Sequence, residues 1–121
     1  MRNIFLVPTL LILVSCAPAK PVPGSFENAE QAISAAVTAG AEQHSPVELR
    51  FAREKLLEAH KGVEYKQFNK TWFLIEQAEI NAELAIEKSK SAVIRGQVAD
   101  LVRKNEILLE EFENNYGEGS K

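Results

Sequence analysis

The chain holds one cysteine, Cys16, and two histidines. A single thiol excludes an intramolecular disulfide, so stability must come from packing alone. His44 and His60 are separated by a capping loop and a helix, with no ligand partner at helical spacing, and form no metal site. No nucleophile motif, Gly-rich phosphate loop or calcium loop is present. With 17 acidic against 14 basic residues and a formal net charge of −3, the chain lacks the basic patch that nucleic acid demands. No apolar run reaches the ~20 residues of a membrane-spanning helix, and the longest, Ile4 to Val14, is roughly half that and contains Pro8. These absences point to a small non-enzymatic protein with no catalytic residues, no cofactor and no metal.

What is present begins at the N-terminus. Met1-Arg2-Asn3 is a short positive start, and Ile4 to Val14 follows as the apolar region of an export signal. An ordinary cleaved secretory signal would explain that much and leave Cys16 incidental. Leu13-Val14-Ser15-Cys16, however, resembles the lipobox of bacterial lipoprotein precursors at each of its four positions. The resemblance implies that Leu13, Val14 and Ser15 are read by the signal peptidase and that Cys16 becomes the lipidated first residue. One acyl chain holds a protein only marginally, at about 0.8 kcal/mol per buried methylene, whereas two or more anchor it stably. Lipoproteins of this class carry two or three chains, palmitate among them, so the membrane is the first expected partner. Residue 17 is Ala rather than the Asp that commonly retains Gram-negative lipoproteins at the inner membrane. The expected location is therefore the outer membrane, facing the periplasm.

Residues 16–25 read as the lipidated cysteine and a tether. Pro18, Pro21 and Pro23 favour extended polyproline II geometry, a semi-rigid spacer that would lift the domain roughly 25 Å off the membrane. A helical domain over 26–113 follows. Ser25 is the expected N-cap of a first helix over about 26–40, with Glu27 in its first turn and Gly40 as its stop. Phe26, Ala29, Ile33 and Ala36 form its apolar stripe. Ser45-Pro46-Val47-Glu48 predicts a capping box opening a second helix over about 46–61, striped by Leu49, Ala52, Leu56 and Ala59 and ended by Gly62.

A third helix is predicted over about 68–113, some 65–70 Å long if unbroken. Its small residues Ala78, Ala82, Ala85, Ser89, Ala92, Gly96 and Ala99 alternate by four and three, a seam along which helix backbones can approach closely. Gly96 is a position where it could bend. A bulkier seam follows: Ile94, Val98, Leu101, Leu108 and Phe112, with Asn105 at the intervening heptad position. Two short helices cannot cover so long a partner, so this seam is the candidate interaction surface. Its expected occupant is a second copy, an envelope protein or the chain itself folded back. Glu110, Glu111 and Glu113 have the wrong sign for a helix C-terminus, and residues 114–121 read as a flexible tail. The predicted class is all-α: a short bundle or antiparallel hairpin with one long C-terminal helix, after a signal peptide over 1–15.

The stretch from about Ala36 to Phe112 resembles a domain-of-unknown-function family of small bacterial lipoproteins. The resemblance rests on Ser45-Pro46-Val47-Glu48-Leu49, Ala52, Lys55-Leu56 and Ala59, followed by Glu76-Gln77-Ala78 and Asn81-Ala82-Glu83-Leu84-Ala85. Asn81-Ala82 departs from the Asp-Ala usual in that pattern. The family implies an alanine-rich helical hairpin and brings no catalytic residues. In some relatives the domain precedes an OmpA-like peptidoglycan-binding module; none lies within residues 1–121. The final Lys121 is similar to the C-terminal lysine through which the major murein lipoprotein of enteric bacteria is joined to peptidoglycan. Cell-wall association through Lys121 is therefore the alternative to a scaffold or protein-interaction role.

Two further clusters have simpler readings. Glu76, Glu79, Glu83 and Glu87 form a ladder on one helix, whereas acid–base chemistry needs carboxylates facing each other across a substrate. Tyr65, Phe68, Trp72 and Phe73 are expected to plug the hairpin end, the alternative being stacking on sugars.

Overall fold

In the computed structural model the described residues are Ala19–Gly117, so Leu13, Val14, Ser15, Cys16 and Lys121 lie outside them. Four helices follow in order: α1 Pro23–Thr38, a single turn α2 Ala41–His44, α3 Pro46–Glu64 and α4 Phe68–Tyr116. The fold is all-α, as the hydrophobic periods predict. No described helix is long and apolar enough to cross a membrane.

Two clusters fix the topology. Near one end, Ala29 of α1 meets Ala59 of α3 and Leu74, Ile75 and Ala78 of α4, with Phe26 and Leu56 packed alongside. Near the other, Ala36, Ala41, Leu49 and Ala85 meet, with Ile33 and Ile86 alongside. α1 and α4 thus run in the same direction and α3 runs against both, an up–down–up bundle built on the first half of α4. Eleven buried apolar residues form this core and eight of them are alanine. Alanine at the contacts lets the backbones close in, and it makes the core thin and sensitive to added volume.

The helix ends correct several expectations. α1 starts at Pro23, inside the expected tether, with Val22 as an N-cap that makes no side-chain bond. Proline at the first position is pre-organised for a helix. Ser25 is inside the helix, and Glu27 instead accepts from Gln31 Nε2 at 3.3 Å. The tether does not stand off as a spacer as far as it is described. Pro21 is buried, and Trp72 Nε1 donates to the Ala19 carbonyl at 3.0 Å. Pro21 and Pro23 line one wall of a shallow, open cavity there, together with Phe26 and Val63.

Gly40 does stop α1: it adopts φ +82°, where a Cβ would be strained, and it opens the unpredicted turn α2. Gly62 does not stop α3. The helix runs on to Glu64, and a Schellman closure follows, with Lys66 at φ 56°. There the Lys66 amide donates to the Val63 carbonyl at 3.0 Å and the Gln67 amide to the Gly62 carbonyl at 2.8 Å. Gly62 serves packing instead, since a Cβ there would sit 2.5 Å from Thr71 Oγ1. Thr71 is fully buried and its hydroxyl donates to the Gln67 carbonyl at 3.0 Å. Its branched side chain is stiff, so it cannot swing clear cheaply. Gly62→Ala should therefore destabilise the bundle by about 1–3 kcal/mol through overpacking, despite the better helix propensity of alanine. Adding Thr71→Ala should return part of that loss, and the pair should be non-additive in urea unfolding.

The expected capping box is not formed. Ser45 is the N-cap of α3 but makes no capping bond with its side chain. Its hydroxyl turns across the bundle, lying 2.7 Å from the Ala85 carbonyl and 2.7 Å from Ser89 Oγ. Ser89 Oγ also lies 2.7 Å from the Ala85 carbonyl, so two hydroxyl protons serve three close approaches among buried atoms. Glu48 reaches Lys88 of α4 instead of the cap. The hydrogen bond from Lys88, helped by the backbone amide of Glu48, holds its carboxyl below the ordinary carboxylate value of 4.5. A lowered pKa stabilises the fold above that ordinary value, and the contribution is lost as pH falls through the lowered one. Glu48→Gln should lower the melting temperature at pH 7, and the difference from wild type should vanish in strong acid.

Candidate interaction surface

α4 is 49 residues long, about 74 Å at 1.5 Å per residue, whereas α1 and α3 have 16 and 19 residues. The consequence is visible in burial. On the small-residue seam Ala78, Ala82, Ala85 and Ser89 are fully buried, Ala92 is half-buried, and Gly96 and Ala99 are exposed. From Val93 to Gly117 every residue is exposed. The helix continues unbroken through Gly96, so the chain does not fold back on itself within the described residues.

The bulky seam is uncovered. Ile94, Val98, Leu101, Leu108 and Phe112 are 53–62% exposed, and they follow one another at spacings of four, three, seven and four. Val102, Leu109 and Tyr116 recur every seven residues along one flank and are exposed too. At 3.6 residues per turn this stripe falls on the side of α4 opposite the one that α1 and α3 cover. Phe112 and Tyr116 already stack on each other, their centroids 5.0 Å apart. Local polar pairs brace the exposed half: Arg103 to Asp100 at 3.0 Å and Arg95 to the Ser91 hydroxyl at 2.6 Å. Such contacts contribute only a few tenths of a kcal/mol each.

The other candidates are less well formed. Tyr65, Trp72 and Phe73 are exposed and Phe68 half-buried, so they do not plug the hairpin end; Phe26, Leu56, Leu74 and Ile75 do that. Trp72 and Phe73 instead border an open depression of about 460 Å³ with Ser25, Asn28, Glu76 and Glu79. Glu76, Glu83 and Glu87 are exposed and Glu79 half-buried, all on one convex helix. Among the described residues no group of three or more His, Cys, Asp or Glu side chains is placed to hold a metal. His60 stacks on Phe26 with ring centroids 4.4 Å apart, a packing role the sequence did not signal.

A family model described as a domain of unknown function, DUF4398, matches residues 25–101. The chain belongs to the DUF4398 family. The match covers the bundle and the start of the exposed half of α4, and stops at Leu101, inside the bulky seam. No curated protein and no solved structure matches this chain. The DUF4398 match agrees with the resemblance in one respect, that the helical domain is one of unknown function. The name carries no activity, so function has to be argued from the surface.

Proposed function

We propose that this DUF4398 protein is a non-enzymatic lipoprotein of the bacterial envelope, anchored in the outer membrane through acyl chains on Cys16. Its helical domain would work in the periplasm as a scaffold or protein-interaction module. The observation that carries the reading is the apolar stripe from Ile94 to Phe112, on the half of α4 in which every residue from Val93 to Gly117 is exposed. Most helical stability in proteins comes from packing an apolar face against a partner, and contiguous exposed apolar surface marks an interaction site. The lipobox-like Leu13-Val14-Ser15-Cys16 supports the anchor.

Two measurements test it. Mass spectrometry of the membrane-extracted protein should find a diacylglyceryl thioether on Cys16 as the first residue; a free thiol would remove the anchor. A photo-crosslinking residue at position 101 should give protein adducts in intact envelopes. Those adducts should fall at least tenfold in a Leu108→Asp, Phe112→Asp background while the melting temperature of the bundle stays within about 2 °C, since surface changes away from the core alter stability little. Absence of adducts in wild type, or recovery with purified peptidoglycan alone, would overturn the scaffold reading.

A further inference from the structure

We infer that the exposed half of α4 pairs with the same segment of a second copy, antiparallel, about a two-fold axis between Glu106 and Ile107. This rests on the interaction-module reading and names its partner. Charge decides between occupants. From Lys88 to Lys104 the helix carries Lys88, Lys90, Arg95, Arg103 and Lys104 against one acid, Asp100. From Asn105 to Tyr116 it carries Glu106, Glu110, Glu111 and Glu113 and no base. A segment basic at one end and acidic at the other complements itself only when reversed.

The heptad pattern sets the register. With Val98 and Asn105 at a and Leu101 and Leu108 at d, antiparallel packing places a residues opposite d residues. Leu101 then meets Phe112 of the second copy, and Asn105 meets Leu108. In the same register both flanks agree. Lys104 falls opposite Glu111, Val102 opposite Leu109, and Arg95 opposite Tyr116, each twice by symmetry. The register one heptad away would set Lys104 against Lys104 of the second copy. Parallel pairing would be worse still, because it aligns Glu76, Glu83 and Glu87 of α4 with their own copies. The arrangement also brings Arg95 and its basic neighbours to the acidic C-terminal turn of the partner helix, where cations are favoured and α4 itself has none.

Sterics allow it. α1 and α3 occupy the opposite face of α4 and end before the seam begins. The two bundles would lie at opposite ends of one rod, with the Ala19 ends of the described chains about 100 Å apart by helix rise. An anionic membrane surface is the weaker occupant, since the polar face beside Leu108 and Phe112 is made of glutamates.

The test uses the full-length protein in detergent. Sedimentation should show a concentration-dependent dimer, weakened at least tenfold by Lys104→Glu and brought back to within about threefold of wild type by adding Glu111→Lys. Circular dichroism should stay unchanged in both variants. A spin label at position 97 should report a separation of roughly 30 Å, from 19 residues of helix rise, against under about 15 Å for a parallel pair. A protein monomeric at every concentration, a Lys104→Glu defect not restored by the second change, or a short 97–97 distance would overturn the inference. In the first case persisting adducts at position 101 in envelopes would leave the interaction-module reading standing with a different partner.

Discussion

Leu49→Ala is expected to lower the stability of the bundle by about 2–5 kcal/mol, the range for deleting a buried leucine side chain. Leu49 is the bulkiest of the fully buried side chains, 2% exposed, and it is the one large buried residue in a cluster with Ala36, Ala41 and Ala85, against which Ile33 and Ile86 pack half-buried. The short alanine side chains cannot reach into the space left behind, so the loss should lie toward the upper end. Domains of this size hold only about 5–15 kcal/mol in total. A shift in melting temperature on the order of 10–30 °C follows from the entropy of unfolding of a domain near 100 residues. Urea unfolding at fixed protein concentration checks it, and a loss below about 1 kcal/mol would mean that the second cluster does not hold the fold together.

The second large effect comes from adding volume opposite Leu49. Ala85 is fully buried, and its carbonyl accepts from the Ser45 and Ser89 hydroxyls. Ala85→Leu places three further carbons where α1, α3 and α4 converge. Overpacking typically costs about 1–3 kcal/mol, and more where backbones must separate. Any separation of α3 from α4 also pulls Ser45 away from its partners, leaving buried hydroxyls unpaired at about 1–3 kcal/mol. Ala85→Leu should therefore exceed 3 kcal/mol. The combination with Leu49→Ala roughly conserves volume and should be less damaging than the sum of the two single changes, by about 0.5–3 kcal/mol. Strict additivity would show that the two residues do not share one site.

These expectations bear on function because the bundle and the exposed helix are separable. Core changes should melt the bundle, whereas changes at Leu101, Lys104, Leu108 or Glu111 should leave it intact and alter association only. The boundary falls near Ala92, where α1 and α3 run out.

The uncovered seam was legible from length alone: two helices of fewer than twenty residues cannot cover one of 49. The all-α class was equally legible, since apolar residues recurring at three and four leave no strand reading. The local chemistry at the helix ends was not. Ser45-Pro46-Val47-Glu48 has every residue of a capping box, yet Ser45 and Glu48 both bond to α4, forty or more residues away. Gly62 has the residue type of a helix stop, yet it is kept small by Thr71. In each case a short-range signal was outcompeted by a contact the linear chain does not display. Trp72 is similar: its indole needed an acceptor, and only folding brought the Ala19 carbonyl within reach.

By itself the sequence determined that this chain is helical, thinly cored with alanine and charged oppositely along its last helix. Those properties depend on residue type and spacing, which sequence states directly. The tertiary structure decided which small residues are buried, that Ser45, Glu48 and Gly62 serve packing rather than termination, and that the bulky stripe lies on the face of α4 turned away from α1 and α3. Such facts depend on where one helix ends against another, and that is a property of packing in three dimensions.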